Sequence, residues 1–432
     1  VSARTPAVPA ASPHGWARAL LTVLSALVAM AVVASLGLWA AGATGLPGGA
    51  FPRVVMAVVV IAVGGSVELS GDAGGLVGSD AALTVLPLSV TLTGALVLAR
   101  GFVRPLRHGG HGGTAGARES AGWAGRIAVL WSAALLGLAF AARRTFAVPL
   151  GEGLLNDLGD FFGIEPRVGF TTDVPSTVLF GLLWLAGVLV VALLLTDGAA
   201  LPGRLRTLVA SARPAACAMV ALLLACVVLG LVVGLVAAGT RGHPAETFAV
   251  LLLGLPNLAW LALTIGLGAA WDGRVEGPFG LPMPRVLDEV LRTPDISTLD
   301  LGTLTERDGR MWWLPAAAVV LLLASGLLAA VLSPAGTPLW AHAARLAGAL
   351  VCTVLMICLV GRVYAHYGLS VLGIGDLGGG LTGQVFLRPR TWTALWRAAL
   401  WGAAAGLVGA LLVRWSRAGR RAGAGRGGRD GR

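Results

Sequence analysis

The segment 64–72, GGSVELSGD, gathers the residue types best able to hold a cation. Gly64, Gly65 and Gly71 permit positive φ and close backbone approach, while Glu68 and Asp72 add carboxylates beside exposed carbonyls. That set suits a metal ion or the cationic group of a substrate. It equally suits a polar turn whose acids only mark the outer face of a membrane. A second candidate is LGLPN with Trp260, at 253–260. Pro256 removes a helix hydrogen bond and Asn257 offers a carboxamide beside it, as in the unwound helices that line transporter sites. The alternative is a kinked helix whose freed carbonyl is taken by Asn257.

Other chemistry is sparse. GIGDLG at 373–378 satisfies GxGxxG, but an apolar helix and a polar loop are expected before it, where a dinucleotide site needs a strand. His108 and His111 lie among glycines with no acid or thiol nearby to complete a metal site. Cys217, Cys226, Cys352 and Cys358 fall inside apolar runs without a CxxC spacing and read as packing residues. HExxH, GxSxG, a phosphate-binding loop and paired intramembrane carboxylates are all missing, so the reading is a non-enzyme with no metal and no cofactor.

The elements that must position these residues are membrane helices. The chain is 432 residues long, 56% hydrophobic and 12% charged, with mean hydropathy +0.83. Its apolar residues form ten runs, at 19–41, 53–67, 81–99, 126–142, 174–196, 214–238, 248–271, 312–333, 346–363 and 392–413. Most approach the roughly 20 residues that a helix needs to cross the hydrocarbon core. None alternates with a two-residue period, which excludes a barrel. The expected fold is an all-α polytopic membrane protein.

All 32 basic residues are Arg, as a G+C-rich coding sequence would supply. The net charge of +11 points to anionic lipid headgroups at the basic linkers and tail rather than to nucleic acid. In the tail, Arg414, Arg417, Arg420 and Arg421 are the expected headgroup contacts. Val1 reads as a GTG start, and the first run as an anchor rather than a removed signal.

A duplication organises the runs. Residues 37–51, GLWAAGATGLPGGAF, match 234–248, GLVAAGTRGHPAETF, at one offset. Arg126 and Arg143 bracket the fourth run as Arg345 and Arg362 bracket the ninth. Two membrane halves follow, 19–196 and 214–413, joined by a basic linker at 197–213. A cytoplasmic segment (1–18) precedes them and a basic tail (414–432) follows. Arg clusters at the N-terminus, the third linker, the fifth linker and the tail share the cytoplasmic side only if two runs fail to cross. The duplication marks 53–67 and 248–271 as the broken or re-entrant ones, leaving eight crossings. The rival arrangement is ten crossings in two inverted halves. In the outer loop 272–310, PRVLDEVL is expected to form an amphipathic helix with Leu287, Val290 and Leu291 on its apolar side.

From Ala62, AVGGSVELSGDAGGLVGSDAALTVLPLSVTLTGALVLA resembles the signature of the streptophobe family of actinobacterial membrane proteins. VGFTTDVPSTVLFG (168–181), LGLPNLAW with WDGR, LDEVL with LTERDGRMWWL, and LSVLGIGDLGGG (369–380) extend the likeness over most of the chain. Glu68-Leu69 departs from the Thr-Pro expected before Ser-Gly-Asp. The resemblance implies a polytopic plasma-membrane protein and brings no assigned activity or site residues. The expected role is a non-enzymatic envelope scaffold with a membrane-protein partner or a second copy. The alternative is a small-solute permease with a path near 64–72 and 253–260.

Overall fold

The computed structural model describes residues 15–45, 50–73, 77–108, 114–142, 144–147, 166–196, 203–240, 244–276, 285–293, 295–371 and 383–426. Each apolar run contains a helix. In chain order these are α1 (Trp16–Ala40), α2 (Ala50–Ala62), α3 (Leu88–His108), α4 (Thr114–Ala141), α5 (Val174–Leu195), α6 (Gly203–Thr240) and α7 (Pro244–Gly266). Two short helices follow, α8 (Arg285–Leu291) and α9 (Leu301–Arg307), and then α10 (Trp313–Leu332), α11 (Leu339–Val360) and α12 (Thr391–Arg426). Eight of them, α1, α4, α5, α6, α7, α10, α11 and α12, are long and apolar enough to cross a membrane. The chain is therefore a multi-pass helical membrane protein. At 13 residues α2 is too short to cross, and Arg100, Arg104 and Arg107 dilute the hydropathy of α3.

An all-helical chain is not what forms. Among the described residues eight strands make one antiparallel sheet: β1 (Val67–Ala73), β2 (Val77–Thr84), β3 (Arg144–Ala147), β4 (Pro166–Thr172), β5 (Trp271–Val275), β6 (Ser297–Leu299), β7 (Val363–Val371) and β8 (Gly383–Pro389). Their order is β3-β4-β1-β2-β7-β8-β5-β6. The apolar run 81–99 thus splits, its first residues pairing in β2 and the remainder opening α3.

The strands attach to one end of the helices. β2 leads into α3, α4 into β3, β4 into α5, α7 into β5, α11 into β7 and β8 into α12. A Cβ on Gly94 would strike Met30 and one on Gly101 would strike Thr22, so α1 runs antiparallel to α3 and ends toward the sheet. Likewise Gly402 meets Leu346 and Gly406 meets His342, which sets α12 antiparallel to α11. Exposed tryptophans lie at both levels: Trp39, Trp312 and Trp392 near the sheet, and Trp16, Trp340 and Trp415 at the remote ends. Trp16 to Trp39 and Trp392 to Trp415 each span roughly 35 Å of helix, the thickness of hydrocarbon plus interface.

Apolar side chains gather into two main cores. One is drawn from Ala19 to Ala192, and the other from Ala215 to Ala405 with Leu88 added. The expected amphipathic helix is present as α8. Its Val290 and Leu291 are buried and Leu287 packs on the second core, so its apolar side meets protein.

Candidate functional site

The 64–72 segment folds differently from a cation loop. Gly64 N–H bonds to Ile61 O (2.9 Å) and Gly65 N–H to Val60 O (3.0 Å), with Gly64 at φ +94°. This is a Schellman end to α2, in which a left-handed glycine satisfies the last carbonyls. Gly65 has no room for a side chain, since a Cβ would lie 2.8 Å from Thr177 Oγ1. Glu68 and Asp72 then fall in β1, between β2 and β4: Glu68 pairs with Ala82 and Thr171, and Asp72 with Gly78 and Arg167. Carbonyls of a strand paired on both sides are taken by ladder bonds. The expectation of exposed carbonyls is corrected accordingly.

The expected break at Pro256 is also corrected, because α7 continues through it from Pro244 to Gly266. Pro256 has no N–H to give Leu252, and a proline ring presses on the carbonyl four residues back. One turn is bridged from outside: Ser89 Oγ accepts from Leu255 N–H (3.2 Å) and donates to Leu251 O (3.0 Å). Those two backbone groups are the pair an undistorted α-helix would join.

Asn257 completes the seam between the halves. Its Oδ1 accepts from Leu88 N–H (3.1 Å) and its Nδ2 donates to Leu86 O (2.9 Å), on either side of Pro87. Pro87 precedes the first turn of α3 and accepts from Val90 and Thr91 N–H, but it has no side-chain oxygen to cap the helix. Asn257, from the other half, supplies that cap. A carboxamide can donate and accept at once, which a carboxylate cannot. Gly37 of α1 closes the same seam, since a Cβ there would lie 2.6 Å from Leu253 Cδ2.

Ser89, Leu86 and Leu88 are therefore site residues that local spacing did not single out. They lie about 170 residues from their partners, and LPLS carries no motif. The arrangement fastens backbone to side chain. It holds no nucleophile beside a base.

A second polar knot ties the sheet to α12. Arg390 Nε donates to both Asp272 carboxylate oxygens (3.0 Å each) and its Nη2 to Thr298 Oγ1 (3.0 Å). The Asp272 hydrogen bond and charge push the Arg390 guanidinium pKa up. Of the expected headgroup contacts, Arg414 donates to Thr337 O (3.0 Å) at the remote end of the helices and Arg417 is exposed nearby. Arg420 and Arg421 continue α12, and their side chains lie outside the described residues.

GIGDLG also lies outside the described residues, but β7 precedes it and β8 follows. A strand therefore stands where a helix was expected, in a connection between antiparallel neighbours rather than a strand–helix crossover. Among the described residues no three His, Cys, Asp or Glu side chains cluster as metal ligands. No family model, curated protein or solved structure matches the chain. The streptophobe likeness accordingly rests on the segments quoted above.

Proposed function

We propose that the protein is a non-enzymatic membrane scaffold of two tandem halves, with the single sheet as its presented surface. The observation that carries this is the seam. Both hydroxyl roles of Ser89, and the donor and acceptor of Asn257, are committed to backbone of the opposite half. The polar groups that a permeant would need are thus holding the halves together.

Three features support the tandem arrangement. The first is strand order, third-fourth-first-second within 67–172 and the same again within 271–389. The second is the end of α7: Gly268 N–H bonds to Ile265 O and Ala269 N–H to Thr264 O, both at 2.8 Å, with Gly268 at φ +89°. That repeats the Schellman end at Gly64, and each glycine stands three residues before its strand, Val67 or Trp271. The third is the Arg143/Arg362 register, which also aligns the starts of β3 and β7.

The sheet constrains the crossings as well. Between β4 and β5 the chain makes three helices, α5, α6 and α7, yet returns to the same sheet. In this reading an even number cross and α7 turns back, which is supported by its Gly266 ending against Leu314 at the start of α10. For α2, Thr91 Oγ1 donates to Ala62 O (2.6 Å) in the first turn of α3. We read both segments as leaving and rejoining on the sheet side. In this reading α3 crosses and α7, although long enough to span, does not, so the crossing helices are α1, α3, α4, α5, α6, α10, α11 and α12.

Arg18, Arg104, Arg118, Arg206, Arg345 and Arg414 lie toward the remote ends of their helices, which supports our reading of that side and both termini as cytoplasmic in a plasma membrane. A membrane-impermeant maleimide should label Asp295→Cys in intact cells and Ala335→Cys only after lysis. The reverse pattern removes the orientation. For the scaffold role, hydrogen exchange in lipid nanodiscs should find the amides of Leu88 and Leu255 among the slowest in the chain. Fast exchange at both would mean that the seam opens to water, as a permease requires.

A further inference from the structure

We infer that the outer surface of α12 carries a specific site for one anionic phospholipid, with its phosphodiester on Arg397. A groove of about 310 Å³ runs there between α12 and the turn that follows α7, lined by Leu267, Trp396, Arg397, Leu400, Trp401 and Ala404. It is open on one side and apolar except at Arg397. The guanidinium stands 5.7 Å from the centre of the Trp396 ring and lies over the turn, where a Cβ on Gly268 would be 3.2 Å from Nη1. Among the described residues Arg397 makes this aromatic contact and has no carboxylate partner, in contrast to Arg390 one and a half to two turns earlier. A guanidinium held by an aromatic contact alone keeps N–H donors free for a bidentate acceptor.

Depth and shape select a lipid. Arg397 lies roughly 9 Å along α12 from its start at the sheet. Trp392, 84% exposed, stands one turn nearer the sheet, where interfacial tryptophans sit at headgroup level. A cation just below that belt is costly unless an anion meets it. Below Arg397, Leu400 and Ala404 continue the groove along α12 toward the bilayer centre, as the path for an acyl chain. No acid lines the groove to receive the amine of a zwitterionic headgroup, so charge complementarity favours a net-negative lipid. The inference depends on the bilayer reading and not on the scaffold role.

Native mass spectrometry of the full chain released from micelles tests it, with phosphatidylglycerol and phosphatidylcholine as probes. The wild type should retain a tightly held phosphatidylglycerol whose apparent Kd rises roughly five- to tenfold in Arg397→Gln. Phosphatidylcholine retention should not change. Ala404→Trp, which fills the groove and keeps the cation, should lose the same lipid and covers the case in which Arg397→Gln fails to fold. Equal phosphatidylglycerol retention by wild type and a folded variant overturns the site. So does displacement of the lipid by millimolar inorganic phosphate, which would make it a free-anion site.

Discussion

The helices α2 and α7 end alike and do different work. Each starts within one of the two matching peptides, α2 at Ala50 and α7 at Pro244, and closes on a Schellman glycine three residues before a strand. From Phe51 to Gly64 is thirteen residues, whereas from Phe248 to Gly268 is twenty. The excess of seven is close to two helical turns, so the apolar side keeps its direction. With that length α7 packs against α1 and α3 of the opposite half, while α2 packs against α1, α3 and α4 of its own. On the tandem reading proposed above, lengthening one of two equivalent segments converts an internal packing element into a tie between halves.

Removing the difference should have the largest effect. Deleting 251–257 takes away Asn257, Pro256 and four leucines together, at a cost of several kcal/mol. The expected result is loss of monodisperse protein on size exclusion in detergent. A deletion variant that elutes normally would break the comparison, because α7 would not then be needed as a tie. Next comes Asn257. Asn257→Asp sets a carboxylate oxygen against Leu86 O within the membrane and should cost about 3 kcal/mol or more. Asn257→Ala loses two hydrogen bonds and should cost about 1–3 kcal/mol. Thermal unfolding in detergent should rank them wild type, Ala, Asp; equal midpoints for all three would remove the cap on α3. The smallest effect should come at the glycines. Gly64→Ala and Gly268→Ala each force an L residue into left-handed backbone, at about 1–2 kcal/mol. Similar shifts in midpoint would sharpen the equivalence, and a silent Gly268→Ala would blunt it.

The helices were legible because hydrocarbon selects long apolar runs: 174–196 became Val174–Leu195 and 312–333 became Trp313–Leu332. Boundaries failed where strand and helix share a composition, as in AALTVLPL, whose first four residues are in β2 and whose last opens α3. The sheet was hidden for a related reason. RTFA is too short to register, and VELSGDA does alternate, but its glycine and carboxylates beside Gly64 and Gly65 read as a polar turn. At the candidate site, Gly64 and Pro256 were rightly flagged as backbone punctuation, but their roles were misread. A glycine that ends a helix and one that cradles an ion look the same in a string of letters. Asn257 drew notice for its proline neighbour, while its partners at Leu86 and Leu88 belong to the other half of the chain.

The joint between β2 and β7 bears on how the chain is made. Thr84 pairs with Tyr364 and Val77 with Val371, so roughly 290 residues are synthesised between the two sides of one ladder. Until β7 has been made, β2 offers an unpaired border to whatever shares the compartment. A ribosome that stops before Val363 leaves a product with most of its helices in place and that border bare, which is the form a membrane protease or chaperone would meet.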